Sequence, residues 1–245
     1  MHAFDQAGFP VRFDWGEAGL RTLAPGVDLL IIVDVLSFST AVEVATARGA
    51  GVYPYPAADA SAQAFADKHG AVLAVNRRDM SGERPYSLSP QSLADIASGT
   101  RVVMPSPNGS TLTTLASKTH LILAGCLRNA RAVARWANVR TAIGVIAAGE
   151  LRPDNSLRFA VEDLVGAGAI LSHFPAETRS PEGEIAVAAF ERFANDLPGH
   201  LAQSASGREL AELGFADDVA MAAELDVSDS VPVFVQPGLY AAEPY

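Results

Sequence analysis

The chain has 245 residues, 49% of them hydrophobic, and a formal net charge of −10 from 18 Lys and Arg against 28 Asp and Glu. That length and composition fit one large domain with a sizeable core, exclude a disordered chain, and argue against nucleic-acid binding through a broad basic face. No apolar run approaches the roughly 18 to 20 residues of a membrane span. The opening MHAFDQAGFP lacks a signal-peptide pattern, and a single cysteine, Cys126, rules out an internal disulfide and thiolate metal clusters. A cytoplasmic protein away from membranes is expected, with Cys126 as a buried structural thiol.

Short apolar runs recur along the chain, each followed by a turn rich in Gly, Asn, Ser or Pro and then a helical stretch, which is the rhythm of βα units and an α/β fold. The clearest strand is 29–33, Leu-Leu-Ile-Ile-Val, apolar on both faces as a central parallel strand should be. Further strands are predicted at 71–75, 101–104, 120–124, 142–147 and 231–235. Helices are predicted at 40–48, 58–68, 89–97, 109–117, 130–136, 160–171, 185–194, 206–213 and 216–223. The segments 41–50 and 160–169 share five of ten residues, including Glu43 with Glu162. A duplicated βα unit, roughly 27–140 and 141–240 within a single 1–245 domain, would explain the match; Ala-rich helices also resemble one another easily.

Asp34 closes the central strand, where ligands of open parallel sheets bind. A carboxylate at that place needs donors or a cation around it, and a hard ion such as Mg²⁺ prefers oxygen ligands. Ser39 and Thr40, at the next helix start, offer hydroxyls and free N–H groups that suit a phosphate. Thr40 with Glu43 has the form of a capping box, which gives Glu43 a structural role. Gly149-Glu150 and Glu162-Asp163 form a second acidic region; acids in a first helical turn also answer the helix dipole, but with Asp34 they could converge on one Mg²⁺.

Between these regions, Asn108-Gly109-Ser110 follows a predicted strand and reads either as a plain turn or as a phosphate cradle. Asn129 follows the next strand as a helix cap. Arg84 supplies a planar fork for an anion, although lone loop arginines are usually just solvated. Walker A, G-x-G-x-x-G after a strand and H-E-x-x-H are absent, and Leu36 stands where a haloacid dehalogenase type of phosphatase would carry a second Asp.

Taken in order, Asp34-Val35-Leu36 with Ser39-Thr40, Gly82-Glu83-Arg84 with Ser89-Pro90, Asn108-Gly109-Ser110, Gly125 with Asn129, Gly149-Glu150 with Glu162-Asp163, Ser206-Gly207 and Asp217-Asp218-Val219 resemble the 2-phosphosulfolactate phosphatase family, Mg²⁺-dependent enzymes of coenzyme M biosynthesis. The resemblance runs from about Val27 to Val235. It departs at Ser37-Phe38, where the family carries Arg-Ala, and at Leu88, where it carries Asn. It implies a three-layer α/β/α fold with a mostly parallel sheet and hydrolysis of the phosphate monoester of a small anionic hydroxy acid. Asp34, Glu162 and Asp163 would hold the metal and Glu150 would position water or act as acid/base. Ser39, Thr40, Arg84, Asn108, Ser110 and Asn129 would hold the phosphate and acid groups. The departures leave open another hydrolase or lyase on a small carboxylate, and a non-catalytic anion-binding protein. The apolar, Ala-rich composition suggests a homodimer.

Overall fold

The computed structural model describes residues 4–117, 120–235 and 238–243. In chain order the elements are β1 (Val11–Trp15), α1 (Gly16–Leu23), β2 (Leu29–Val33), α2 (Phe38–Ala47), β3 (Gly51–Tyr55), α3 (Ala60–His69), β4 (Val72–Leu73), β5 (Arg101–Pro105), α4 (Gly109–Ala116), β6 (Leu121–Gly125), α5 (Ala130–Ala137), β7 (Ile143–Ala147), β8 (Glu150–Leu151), β9 (Leu157–Arg158), α6 (Val161–Leu171), α7 (Pro181–Phe193), α8 (Leu197–Gln203), α9 (Ala205–Glu212), α10 (Ala216–Ala222), β10 (Val231–Val235) and β11 (Leu239–Glu243). Nine strands form one sheet in the order β1-β7-β2-β6-β10-β11-β3-β5-β4. The block β1-β7-β2-β6 is parallel, as is β3-β5-β4, and the β10-β11 hairpin joins them, antiparallel to each neighbour.

All five residues of β2 are buried, so the strand is apolar on both faces. Each such side chain contributes about 1.5–3 kcal/mol relative to exposure. Leu29, Ile31 and Val33 enter a core shared with α5, α6 and α7, whereas Leu30 and Ile32 enter a second core shared with α1, α2 and α4. Helices therefore cover both faces, giving the three-layer arrangement with a mostly parallel sheet. Helix α2 is buried from Phe38 to Thr46 with no solvent face, the state of a helix whose apolar residues occupy its whole circumference. Among the described residues no helix is long and apolar enough to cross a membrane.

Several elements escape the sequence pattern. The strand β3 contains Pro54, which demotes a run to an edge position; it is tolerated because β11 meets β3 only through Tyr240 and Val52. The helix predicted at 89–97 is a short 3-10 turn, Pro90–Leu93. There Ser92 Oγ donates to the Ser89 carbonyl at 2.7 Å and accepts from the Ser87 amide at 3.1 Å, so serine hydroxyls take backbone groups that a helix would need. The capping box expected of Thr40 and Glu43 does not form, because α2 starts at Phe38 and Glu43 lies in its middle. Fully buried, Glu43 instead accepts from Arg128 Nε at 2.6 Å.

Candidate active site

Asp34 follows directly on β2, 5% exposed. Its carboxylate accepts from two backbone amides, Phe38 to Oδ1 at 3.2 Å and Gly109 to Oδ2 at 2.9 Å. Those donors favour the ionised form, but burial outweighs them and pushes the group up to about 6, with the charge of Glu162 adding to the effect. Ser39 Oγ accepts from the Asp34 amide at 3.1 Å and donates to the Ile32 carbonyl at 2.9 Å, and Thr40 Oγ1 donates to the Val35 carbonyl at 2.8 Å. Both hydroxyls are wholly buried and used inside the turn. They fix Asp34 and do not line the cleft.

The same turn is tied to the loop after β7. Asp163 Oδ1 accepts from the Val35 amide at 2.7 Å and Oδ2 from the Gly149 amide at 2.8 Å. Gly149 has φ +65°, and a Cβ there would lie 2.8 Å from the Arg158 carbonyl oxygen, so glycine is required. Burial, then the charges of Asp34 and Glu162, raises Asp163 well above the usual carboxylate range. Glu162, 2% exposed, leaves Oε2 without a hydrogen-bond partner. Glu150, half-buried beyond the Gly149 turn, accepts from Asn108 Nδ2 at 2.7 Å. Burial raises Glu150 to about 7, reinforced by Asp34, Glu162 and Glu209 and opposed by Arg158.

Segments from three strand ends thus meet: Asp34 after β2, Asn108 after β5 and Glu150 after β7. Together with Ser37, Ser106, Ser206 and Arg77 they line a cleft of about 210 Å³. The remaining expected residues are not brought there. Ser110 is fully buried and donates to the Met104 carbonyl at 2.7 Å. Asn129 is fully buried, accepting from the Cys126 amide at 2.9 Å and donating to the Ser230 carbonyl at 3.1 Å. Arg84 is exposed in a turn closed by backbone bonds with Ser81.

The cleft's arginine is Arg77, on the turn after β4. Its Nε donates to Asp218 Oδ2 at 3.0 Å and its Nη2 to Ser37 Oγ at 2.6 Å. The guanidinium lies over the Phe215 ring, 5.5 Å from its centroid. The signal that could have found it is the one that found Asp34, namely a charged residue just past the end of a predicted strand. Cys126 is wholly buried, and burial pushes its thiol up to about 12, a structural environment rather than a nucleophile's.

The site's donors are those a hard divalent cation prefers, carboxylate oxygens. Asp34, Glu150 and Asp163 have raised proton affinities to which the charge of Glu162 contributes in each case, and one buried Glu162 oxygen has no partner. Among the described residues no three acidic, His or Cys side chains form a closed metal cage. Mg²⁺ ordinarily takes one or two carboxylates, water and substrate phosphate rather than such a cage, so Asp34 with the unpartnered Glu162 oxygen fits it.

Most of the chain is similar to known proteins. The chain is 29% identical over 212 residues to a probable 2-phosphosulfolactate phosphatase of Carboxydothermus hydrogenoformans, covering 83% of this chain and 84% of the relative. A probable 2-phosphosulfolactate phosphatase of Deinococcus radiodurans is 29% identical over 222 residues, with 85% and 88% covered. The 2-phosphosulfolactate phosphatase of Methanothermobacter thermautotrophicus is 29% identical over 210 residues, again with 85% and 88% covered. The family model for 2-phosphosulpholactate phosphatase matches residues 21–237, and the chain belongs to that family.

Proposed function

We propose that this chain, by family a phosphoric monoester hydrolase, releases phosphate from a small hydroxy acid ester of the 2-phosphosulfolactate kind with the help of Mg²⁺. The observation that carries the reading is the buried carboxylate group around Asp34, with the unpartnered Glu162 oxygen beside it. Asp34, on the cleft wall, and Glu162 would hold the ion. Neither Glu162 nor Asp163 lines the cleft; both Asp163 oxygens accept from the Val35 and Gly149 amides and brace the turns, whereas Glu162 keeps one oxygen unpartnered. A bound Mg²⁺ supplies neutralisation of phosphoryl charge.

The remaining work falls to the chain's own groups. Asn108 orients Glu150 through its Nδ2. Glu150, raised to about 7, holds or releases a proton near neutral pH at the place where the ester oxygen leaves or water enters. The test is phosphate release from 2-phosphosulfolactate with and without Mg²⁺, in wild type and Asp34→Asn. Release that is lost in the variant and lost on chelation supports the reading; full activity of Asp34→Asn, or release indifferent to chelation, defeats it. Trapping a phosphoaspartate would assign Asp34 as nucleophile and eliminate direct attack by water.

A further inference from the structure

We propose that Arg77, held by Asp218, selects substrates that carry a second acidic group beside the phosphate, an inference that rests on the phosphatase reading above. Three parts of the fold fix its guanidinium. Nε donates to Asp218 Oδ2 at 3.0 Å, while Nη2 donates to Ser37 Oγ at 2.6 Å and to the Leu88 carbonyl at 3.3 Å. Asp218 is itself 1% exposed and accepts from Ser89 Oγ at 2.5 Å. An arginine held in plane in this way loses little further freedom on binding, and with Nε and Nη2 already committed it offers a carboxylate or sulfonate oxygen the hydrogens of Nη1. Nη1 donates to no described residue and remains available.

The rest of the cleft shows why the acid group must go to Arg77. Among the described residues no other Lys or Arg lines it, and Arg158 donates to Ser206 Oγ at 2.6 Å; Leu36, Phe38, Leu88 and Leu210 make apolar wall, and Glu209 adds negative charge. An anionic tail placed on those surfaces would be desolvated without a partner or repelled. Arg77 bonds Ser37, three residues beyond Asp34. The second acid is therefore gripped next to the phosphate and not at a distance from it.

The test compares two esters of the same shape, 2-phospholactate and isopropyl phosphate, of which the first carries a carboxylate where the second has a methyl. Variants are Arg77→Lys, which keeps the charge without a planar group held by Asp218 and Ser37, and Arg77→Met combined with Asp218→Asn, which avoids leaving Asp218 buried and unpaired; thermal melts verify folding. Loss of one charged hydrogen bond corresponds to about tenfold to a hundredfold. KM for 2-phospholactate is expected to rise by about that factor, with kcat largely kept and isopropyl phosphate little affected. Equal losses on both esters, or none on either, overturn the inference.

Calorimetric titration with 3-sulfolactate, which needs no turnover, separates this inference from the phosphatase reading. Arg77-dependent binding without phosphate release from any ester keeps the role of Arg77 and removes the phosphatase reading. Phosphate release with binding unchanged in both variants does the reverse. Absence of both removes both.

Discussion

The Gly109 amide donates to Asp34 Oδ2 across 2.9 Å, a bond between residues 75 positions apart that makes the turns after β2 and β5 one unit. A Cβ at position 109 would lie 2.3 Å from Phe38 Cδ1 and 2.9 Å from Asp34 Oδ2. Gly109→Ala is therefore expected to destabilise by about 1–3 kcal/mol through overpacking. It should also lower kcat by at least about tenfold by shifting the carboxylate. Thermal melts and phosphate-release kinetics read the two effects; an alanine variant with normal kcat would show that the joined turns do not position Asp34.

Asp34→Asn separates catalysis from stability. It keeps an oxygen for one of the two backbone amides and loses the acceptor for the other, a loss offset by removing a charge buried beside Glu162 and Asp163. Activity is expected to fall by about 10² or more, as when one charge-stabilising group is removed from an active site. The melting temperature should hold or rise. A large drop in melting temperature with substantial activity left would assign Asp34 to structure.

The raised carboxylates fix the sign of a pH effect on the metal-free protein. Asp34 titrates at about 6 when folded, against about 4 for an ordinary carboxylate in an unfolded chain. The folded state thus holds the proton more tightly, so this contribution is fully present below pH 4 and is lost as pH rises through 6. Metal-free wild type should melt higher at pH 5 than at pH 7.5, by more than Asp34→Asn does, and millimolar Mg²⁺ should restore the loss at pH 7.5. A wild-type pH trend equal to that of the variant would remove Asp34 as its source.

Much of the architecture was legible because it rests on local pattern. Two-faced burial of β2 followed from Leu-Leu-Ile-Ile-Val, and the Asp34 position from the strand-end rule. What was not legible depended on partners distant in sequence. Glu43 looks like a capping residue until Arg128, 85 positions away, is brought onto it. Ser39, Thr40, Ser110 and Asn129 have the hydroxyls and amides that phosphate sites use, yet buried backbone groups take them first. The two arginines differ in the same way: Arg77 has Asp218, 141 positions off, to hold it in the cleft, whereas Arg84 closes a turn with Ser81.

That difference is measurable. Arg84→Ala is expected to leave KM and kcat within about twofold, as for most surface substitutions; a tenfold rise in KM would bring Arg84 back into the site.

Arg128→Met gives the converse control, with stability changed and chemistry spared. It strands Glu43, which is wholly buried and has one oxygen already unpartnered. Breaking a buried pair in this way costs about 3–5 kcal/mol. The unfolding free energy from denaturant titration should fall by that amount, while the folded fraction keeps its KM; an unchanged unfolding free energy would show that Glu43 is not held as a charge.

Because α2 has no solvent face, a substitution in it must be answered by neighbours on every side, and the Asp34 end of the cleft is closed to gradual change. The opposite wall comes from α9 and the turn that follows it, where Glu209 and Leu213 are exposed. Substitutions there change the cleft wall without touching the core. One half of this pocket is thus fixed with the fold, and the other half can be rewritten residue by residue.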